Sequence, residues 1–125
     1  MKIRCTTNSI RFRVRKSDLE TLQEKGIIHE KNIFAPGQVL TYTLALGEGD
    51  ILHANFNGGE LRVEIPKSIA IAWIGSSRVG IESVQHTGGE DLFILIEKDF
   101  PCRHTEESDR GNTFYELAPE DPSSC

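Results

Sequence analysis

The chain predicts an α+β domain: a six- or seven-stranded antiparallel barrel or strongly curved sheet, with two short helices. Three observations carry that prediction. Apolar and polar residues alternate along several short runs, the two-residue period of a strand with one buried face. Two other segments carry helix start and stop signals. Glycine-containing pairs, Pro36-Gly37, Asn57-Gly58 and Gly88-Gly89, separate the runs at turn positions.

The first strand holds Ile10, Phe12 and Val14 in alternation with Arg11, Arg13 and Arg15. It runs into Ser17-Asp18-Leu19-Glu20, which reads as a capping box with the Ser17 hydroxyl accepting from the Glu20 backbone N–H. A short helix follows, with Leu19 and Leu22 on one face, Lys25 in its last turn and Gly26 as its left-handed stop. Strands at about 27–34 and 39–46 flank Pro36-Gly37, which suits the centre of a type II turn.

The next hairpin has an arguable register. A two-residue loop at Asn57-Gly58 sets Ala54 opposite Leu61 and Leu52 opposite Val63 on an apolar face. His53 then faces Arg62, and Asn55 faces Glu60, on the polar side. Pro66 ends that ladder, Ser68 caps a short apolar helix over 69–74, and Gly75 closes it. Strands at about 78–84 and 92–97 complete the pattern. Leu92 to Ile96 is apolar at every position, which predicts a central strand covered on both faces.

The chain also matches itself at an offset of 51 residues. Residues 10–14 meet 61–65, Lys16-Ser17 meets Lys67-Ser68, Leu22 meets Trp73, Tyr42 meets Phe93 and Leu44 meets Leu95. Each half reads strand–helix–strand–strand, which suggests an internal duplication, with the strand at 51–56 as an extra piece. Residues 1–100 are expected to form the single domain. Residues 101–125, poor in apolar groups, are expected to form an extended polar tail that docks through Phe114 and Tyr115.

Hydrophobic residues make up 38% of the 125 and charged residues 26%, the balance of a soluble globular chain. No apolar run reaches the ~20 residues of a membrane span, and Met1 to Arg4 leads into no signal-peptide core. A net charge of -5 argues against a general nucleic-acid binder. Three cysteines, an odd number, suit a reducing cytoplasm rather than a disulfide framework.

Three groups of residues are candidates for chemistry. Arg11, Arg13 and Arg15 project from one strand face and offer guanidinium forks to a phosphate or carboxylate. Cys102 and His104, with Cys125 or Cys5, offer soft ligands to zinc or copper, without the paired spacing of a structural zinc motif. Glu97 and Asp99 lie on one side of the last strand, flanking Lys98, and could serve acid–base work or pair with the arginine stripe. His29, His53 and His86 stand singly. No phosphate loop, dinucleotide fingerprint, catalytic serine signature or HExxH is present, and no motif names a cofactor.

Lys2-Ile3-Arg4 with Asn8 to Arg13, and Ile94 to Cys102 at the other end, resemble a family of small bacterial proteins of unknown function. Val79-Gly80-Ile81 and the acidic Glu106-Glu107-Ser108-Asp109 extend the resemblance over nearly the whole chain. Residues 111–125 depart from the shorter endings of that family. The resemblance implies a bacterial cytoplasmic source and points to Glu97 to Cys102 as the place to look for a site. The expected role is a non-enzymatic binding or interaction module, whose partner is a small anion, a metal ion or a protein. The alternatives are a metal-binding protein using Cys102, His104 and Cys125, and a small-anion enzyme or sensor using the arginine face.

Overall fold

In the computed structural model, which describes residues 1–100 and 112–117, a hairpin–helix–hairpin unit occurs twice. The first unit comprises β1 (Lys2–Thr6), β2 (Ser9–Val14), α1 (Lys16–Lys25), β3 (Ile27–Ala35) and β4 (Gln38–Gly47). The second comprises β5 (His53–Asn57), β6 (Glu60–Pro66), α2 (Lys67–Ile74), β7 (Gly80–Gln85) and β8 (Leu92–Lys98). Two four-stranded sheets result, in the orders β1-β2-β8-β7 and β3-β4-β6-β5. Each sheet joins a hairpin of one unit to a hairpin of the other through a parallel central pair, β2 with β8 and β4 with β6. Exchanging the two units turns the first order into β5-β6-β4-β3, which is the second sheet read backwards.

The architecture is α+β with two helices, but the single antiparallel barrel is corrected to two mixed sheets with eight strands among the described residues. Period two encodes which face of a strand is buried; it does not encode the neighbouring strand or its direction. The barrel also fails to close at a seam. There β5 and β7 approach without a backbone ladder, and side chains of β7 do the bonding instead. Gln85 donates its Nε2 to the Ala54 carbonyl at 2.9 Å and accepts the Ala54 N–H at 2.7 Å, while the Ser83 hydroxyl donates to Leu52 O at 2.9 Å.

The repeat is closer than strand–helix–strand–strand, because the strand at 51–56 is no extra piece. β5 is the counterpart of β1, a strand the residue pattern hides: of Lys2-Ile3-Arg4-Cys5-Thr6 only Ile3 packs on the core. Lys2, Ser9 and Lys16 open β1, β2 and α1, and His53, Glu60 and Lys67 open their counterparts 51 residues on. In the second hairpin of each unit the correspondence drifts by one or two residues. The Leu46 N–H donates to Gly26 O and the Lys98 N–H to Val79 O, both at 2.8 Å, so Lys98 occupies the place of Leu46. By the same register Leu44 matches Ile96, and Tyr42 matches Ile94 rather than Phe93.

Inward-facing residues of both sheets and both helices form one core, including Phe12, Leu22, Leu44, Val63, Ile65, Trp73, Ile94 and Ile96, all essentially inaccessible. Burial of each such side chain contributes about 1.5–3 kcal/mol.

Local chemistry departs from expectation at three turns or caps. α1 starts two residues early: Arg15, not Ser17, is its N-cap, and its N–H donates to the Asp18 carboxylate at 2.8 Å. The β5–β6 loop is Gly58-Gly59, with φ of 58° and 78°, so Asn57 pairs with Glu60 and Ala54 with Val63. Two adjacent left-handed residues are what a type I′ loop requires, and the shift by two keeps every side chain on its expected face. α2 begins at Lys67 directly after Pro66, so Ser68 lies inside the helix.

Residues 112–117 return to the body. Lys16 N–H donates to Asn112 O, Ser17 N–H to Asn112 Oδ1 and Phe114 N–H to Asp99 O, and the Phe114 side chain packs on the core. Asn112 thereby meets two of the free N–H groups at the start of α1.

Candidate functional site

The chemistry-bearing side chains gather on the outer face of the β1-β2-β8-β7 sheet. Alternation sends Ile10, Phe12 and Val14 inward, so Ser9, Arg11 and Arg13 point out. Antiparallel pairing sets Thr6 opposite Ser9, Arg4 opposite Arg11 and Lys2 opposite Arg13. On the other side of β2, Phe93, Leu95 and Glu97 of β8 align with the same three residues. One half of the face is therefore basic, and the other carries Phe93, Leu95 and Val84 together with the carboxylates Glu82 and Glu97.

Glu97 is 6% exposed and anchors two arginines, with Oε1 at 3.0 Å from Arg11 Nε and 2.7 Å from Arg13 Nε. Asp99, 4% exposed, lies 3.3 Å from Lys2 Nζ and 3.8 Å from Arg13 Nη1. The Arg13 guanidinium also lies 4.7 Å from the Phe100 ring centre. These carboxylates thus complete ion pairs with the arginine stripe, as buried charges must. Arg15 does not join the stripe. It lies beyond the end of β2 and turns to Asp18, 3.4 Å away, where the chain becomes α1.

Asp18 itself is buried beside the chain's α-amino group at 3.1 Å. Burial pushes its carboxyl upward, but hydrogen bonds from the Arg15 N–H, the α-amino group and the Arg15 guanidinium outweigh that and hold it below the ordinary value.

Arg4 was not a candidate from sequence, because its strand was not recognised. Among the described residues it has no carboxylate within 4.0 Å, although it faces Arg11 directly. The two arginines overlook a concavity of ≈ 290 Å³ lined by Arg4, Thr6, Ser9, Arg11, Phe93 and Leu95. β8 is central in its sheet, as expected, but its outer face is uncovered: Phe93 is 37% exposed, and its cross-strand neighbour Val84 is 51% exposed. The signal that could have exposed this face was the basic alternation in Lys2-Ile3-Arg4.

Lys98 behaves differently from its neighbours Glu97 and Asp99. It follows Ile94 and Ile96 on the inward side of β8 and is 2% exposed. Its ammonium donates to Trp73 O at 3.1 Å and to Ser76 O, at the carboxyl end of α2, with the Trp73 and Phe114 ring centres 5.8 and 5.6 Å away. Burial lowers its pKa, against a smaller upward pull from the Glu116 carboxylate. Gly75 N–H donates to Ile71 O as Gly26 N–H does to Leu22 O, and Lys98 adds a charged donor to two further carbonyls at the end of α2, those of Trp73 and Ser76.

The metal candidates Cys102, His104 and Cys125 lie outside the described residues. Cys5 is exposed with a free thiol, and the described residues contain no group of three His, Cys, Asp or Glu able to hold a metal ion. His29 is exposed on β3, His53 lies 3.6 Å from Glu64, and His86 lies 2.8 Å from Asp91 in the β7–β8 loop. Among the described residues no helix is long and apolar enough to cross a membrane.

Comparison with known proteins adds one positive match. Residues 1–117 match the model of a family described as a family of unknown function (DUF7009). No curated protein and no solved structure matches the chain. A match over the two repeated units and on to Leu117, the last described residue of the returning segment, covers everything that builds the basic face. The chain belongs to the DUF7009 family.

Proposed function

We propose that this protein is a non-enzymatic binding module of the bacterial cytoplasm that holds an anionic ligand on the outer face of its first sheet. One observation carries the reading: Arg4 and Arg11 stand directly opposite each other. Like charges in that relation destabilise a sheet by up to about 1 kcal/mol unless something neutralises them. The neighbouring like pair, Lys2 and Arg13, is bridged by Asp99. Among the described residues, the Arg4–Arg11 pair has only the share of Glu97 that reaches Arg11. A phosphate or carboxylate between the two guanidinium groups would make the missing bridge with charge-assisted hydrogen bonds. The catalytic alternative loses its acid and base, because Glu97 and Asp99 are already bound to cations. The odd cysteine count and the resemblance to small bacterial proteins support the location.

Calorimetric titration with inorganic pyrophosphate at low salt tests the reading. The wild type should bind, and Arg4→Ala with Arg11→Ala should weaken binding at least about tenfold, roughly the loss of one charge-assisted hydrogen bond. Arg62→Ala, on the other sheet, should leave it unchanged. Absence of binding at millimolar pyrophosphate, or equal binding by the double variant, would overturn it.

A further inference from the structure

Resting on that reading, we infer that the ligand is a small aryl phosphate or carboxylate, with a flat ring lying beside its anionic group. The argument is the make-up of the concavity. Guanidinium groups of Arg4 and Arg11 and the hydroxyls of Thr6 and Ser9 occupy its β1–β2 side. Phe93 and Leu95 form its β8 side, one strand away, and Val84 extends the apolar strip onto β7.

A free inorganic anion would use the first side alone and leave the second in water. Phe93, 37% exposed, presents its ring on the wall of the concavity beside the arginines. Its cross-strand equivalents on a solvated sheet face are normally polar, and an exposed aromatic beside paired arginines forms a surface with two distinct affinities. A ring stacks on Phe93 in offset or edge-to-face geometry, while its anionic substituent reaches toward Arg11 on the next strand, about 4.8 Å over, and Arg4 one strand beyond. The ≈ 290 Å³ volume lies at the lower end of small-molecule sites and has room for one ring and one anionic group. A long nucleic-acid strand does not suit a chain of net charge -5.

The experiment compares phenyl phosphate with inorganic phosphate by calorimetry and by two-dimensional NMR of the full chain. Wild-type protein should bind phenyl phosphate about tenfold more tightly, and the resonances of Phe93 and Leu95 should shift with the aryl ligand. Phe93→Ala should remove that preference while keeping affinity for inorganic phosphate, and Arg4→Ala should weaken both ligands. Phe93→Leu guards against a folding defect: it preserves an apolar side chain and should still lose the preference. Equal affinity for the two ligands, with both lost in Arg4→Ala, would overturn the aryl inference and leave the anion reading standing. Failure of both ligands to bind would overturn the two together.

Discussion

On the outer face of the second sheet, His53 faces Glu64 and Asn55 faces Arg62, where the first sheet sets Lys2 against Arg13 and Arg4 against Arg11. The backbone plan is the same and the charge pattern is not. In the second sheet Arg62 finds Glu64 at 3.4 Å within its own strand, and the buried Thr43 hydroxyl donates to Glu60 at 2.8 Å. Thr41, Thr43 and Ala45 fill the places held by Phe93, Leu95 and Glu97 in the first sheet. One face gives its charges complementary neighbours, with Ile33 of β3 left exposed on it; the other keeps like charges opposed beside the partly exposed ring of Phe93. Most inward positions show no such divergence, Lys98 in the place of Leu46 being an exception. Phe12 and Val63, Val14 and Ile65, Leu44 and Ile96, and Leu22 and Trp73 are apolar in both units, because a shared interior must be filled whichever unit supplies the side chain. Duplicated positions that diverge therefore mark where the chain is free of the demands of folding, and the first sheet's outer face is where, among the described residues, divergence leaves like charges opposed.

That comparison breaks if the two units are separate folding bodies. The largest effect tests this. Leu22→Ala opens a cavity in the first unit and should cost about 2–5 kcal/mol. Because both units line one core, Trp73 fluorescence, which reports from the second unit, should lose structure at the same urea concentration as far-UV circular dichroism. Two separated transitions would show that the units unfold independently and that their equivalence is only one of chain order.

A smaller effect sharpens an inward position where the units disagree. Lys98 stands where the first unit has Leu46, and burial depresses its pKa below the ordinary lysine value of 10.5. Between that depressed value and 10.5 the unfolded chain holds the proton more tightly than the folded one. Stability from this group therefore rises as pH increases through that window, and below it the buried charge is a cost. Lys98→Met fills the same volume without charge. It should be neutral or stabilising by about 1–2 kcal/mol at pH 7, and the alkaline gain expected in wild-type urea midpoints should disappear. A variant strongly destabilised at pH 7 would show that capping of the Trp73 and Ser76 carbonyls outweighs the desolvation of the ammonium.

How much of this was legible depends on what each residue encodes. Ile10, Phe12 and Val14 disclosed β2, Pro36-Gly37 disclosed the β3–β4 turn, and Gly26 disclosed the end of α1, since each acts through local geometry. β1 escaped because an edge strand with Ile3 as its one core contact alternates over Lys2-Ile3-Arg4 alone, too short a run to mark a strand, and its Lys and Arg suit an exposed edge. Losing β1 meant losing Arg4, and with it the opposed pair that marks the site. Arg11 and Arg13 were legible as a face, whereas Arg15 fell off it when the chain turned into the helix. Lys98 was legible in principle: counting by twos from Ile94 and Ile96 places it inside. The parallel pairings were not legible, because partners 84 residues apart in β2–β8 and 19 apart in β4–β6 leave no mark on either strand.

The smallest effect on stability separates the two faces most directly. Arg4→Asn copies Asn55 of the second sheet onto the first and removes the opposed like charge. An exposed charge in water is well screened, so the expected gain is only a few tenths of a kcal/mol at low salt, shrinking as ionic strength rises. The reverse exchange, Asn55→Arg, should cost a similar amount by setting a second guanidinium opposite Arg62. Measured together as urea midpoints at two salt concentrations, the substitutions ask whether the first sheet retains a repulsion that the second has shed. A gain in Arg4→Asn accompanied by weaker pyrophosphate binding means the repulsion is kept for the anion that relieves it. A loss of stability in Arg4→Asn would mean that Arg4 is already neutralised within the folded chain, and the contrast between the faces would then reduce to Phe93 and its apolar neighbours.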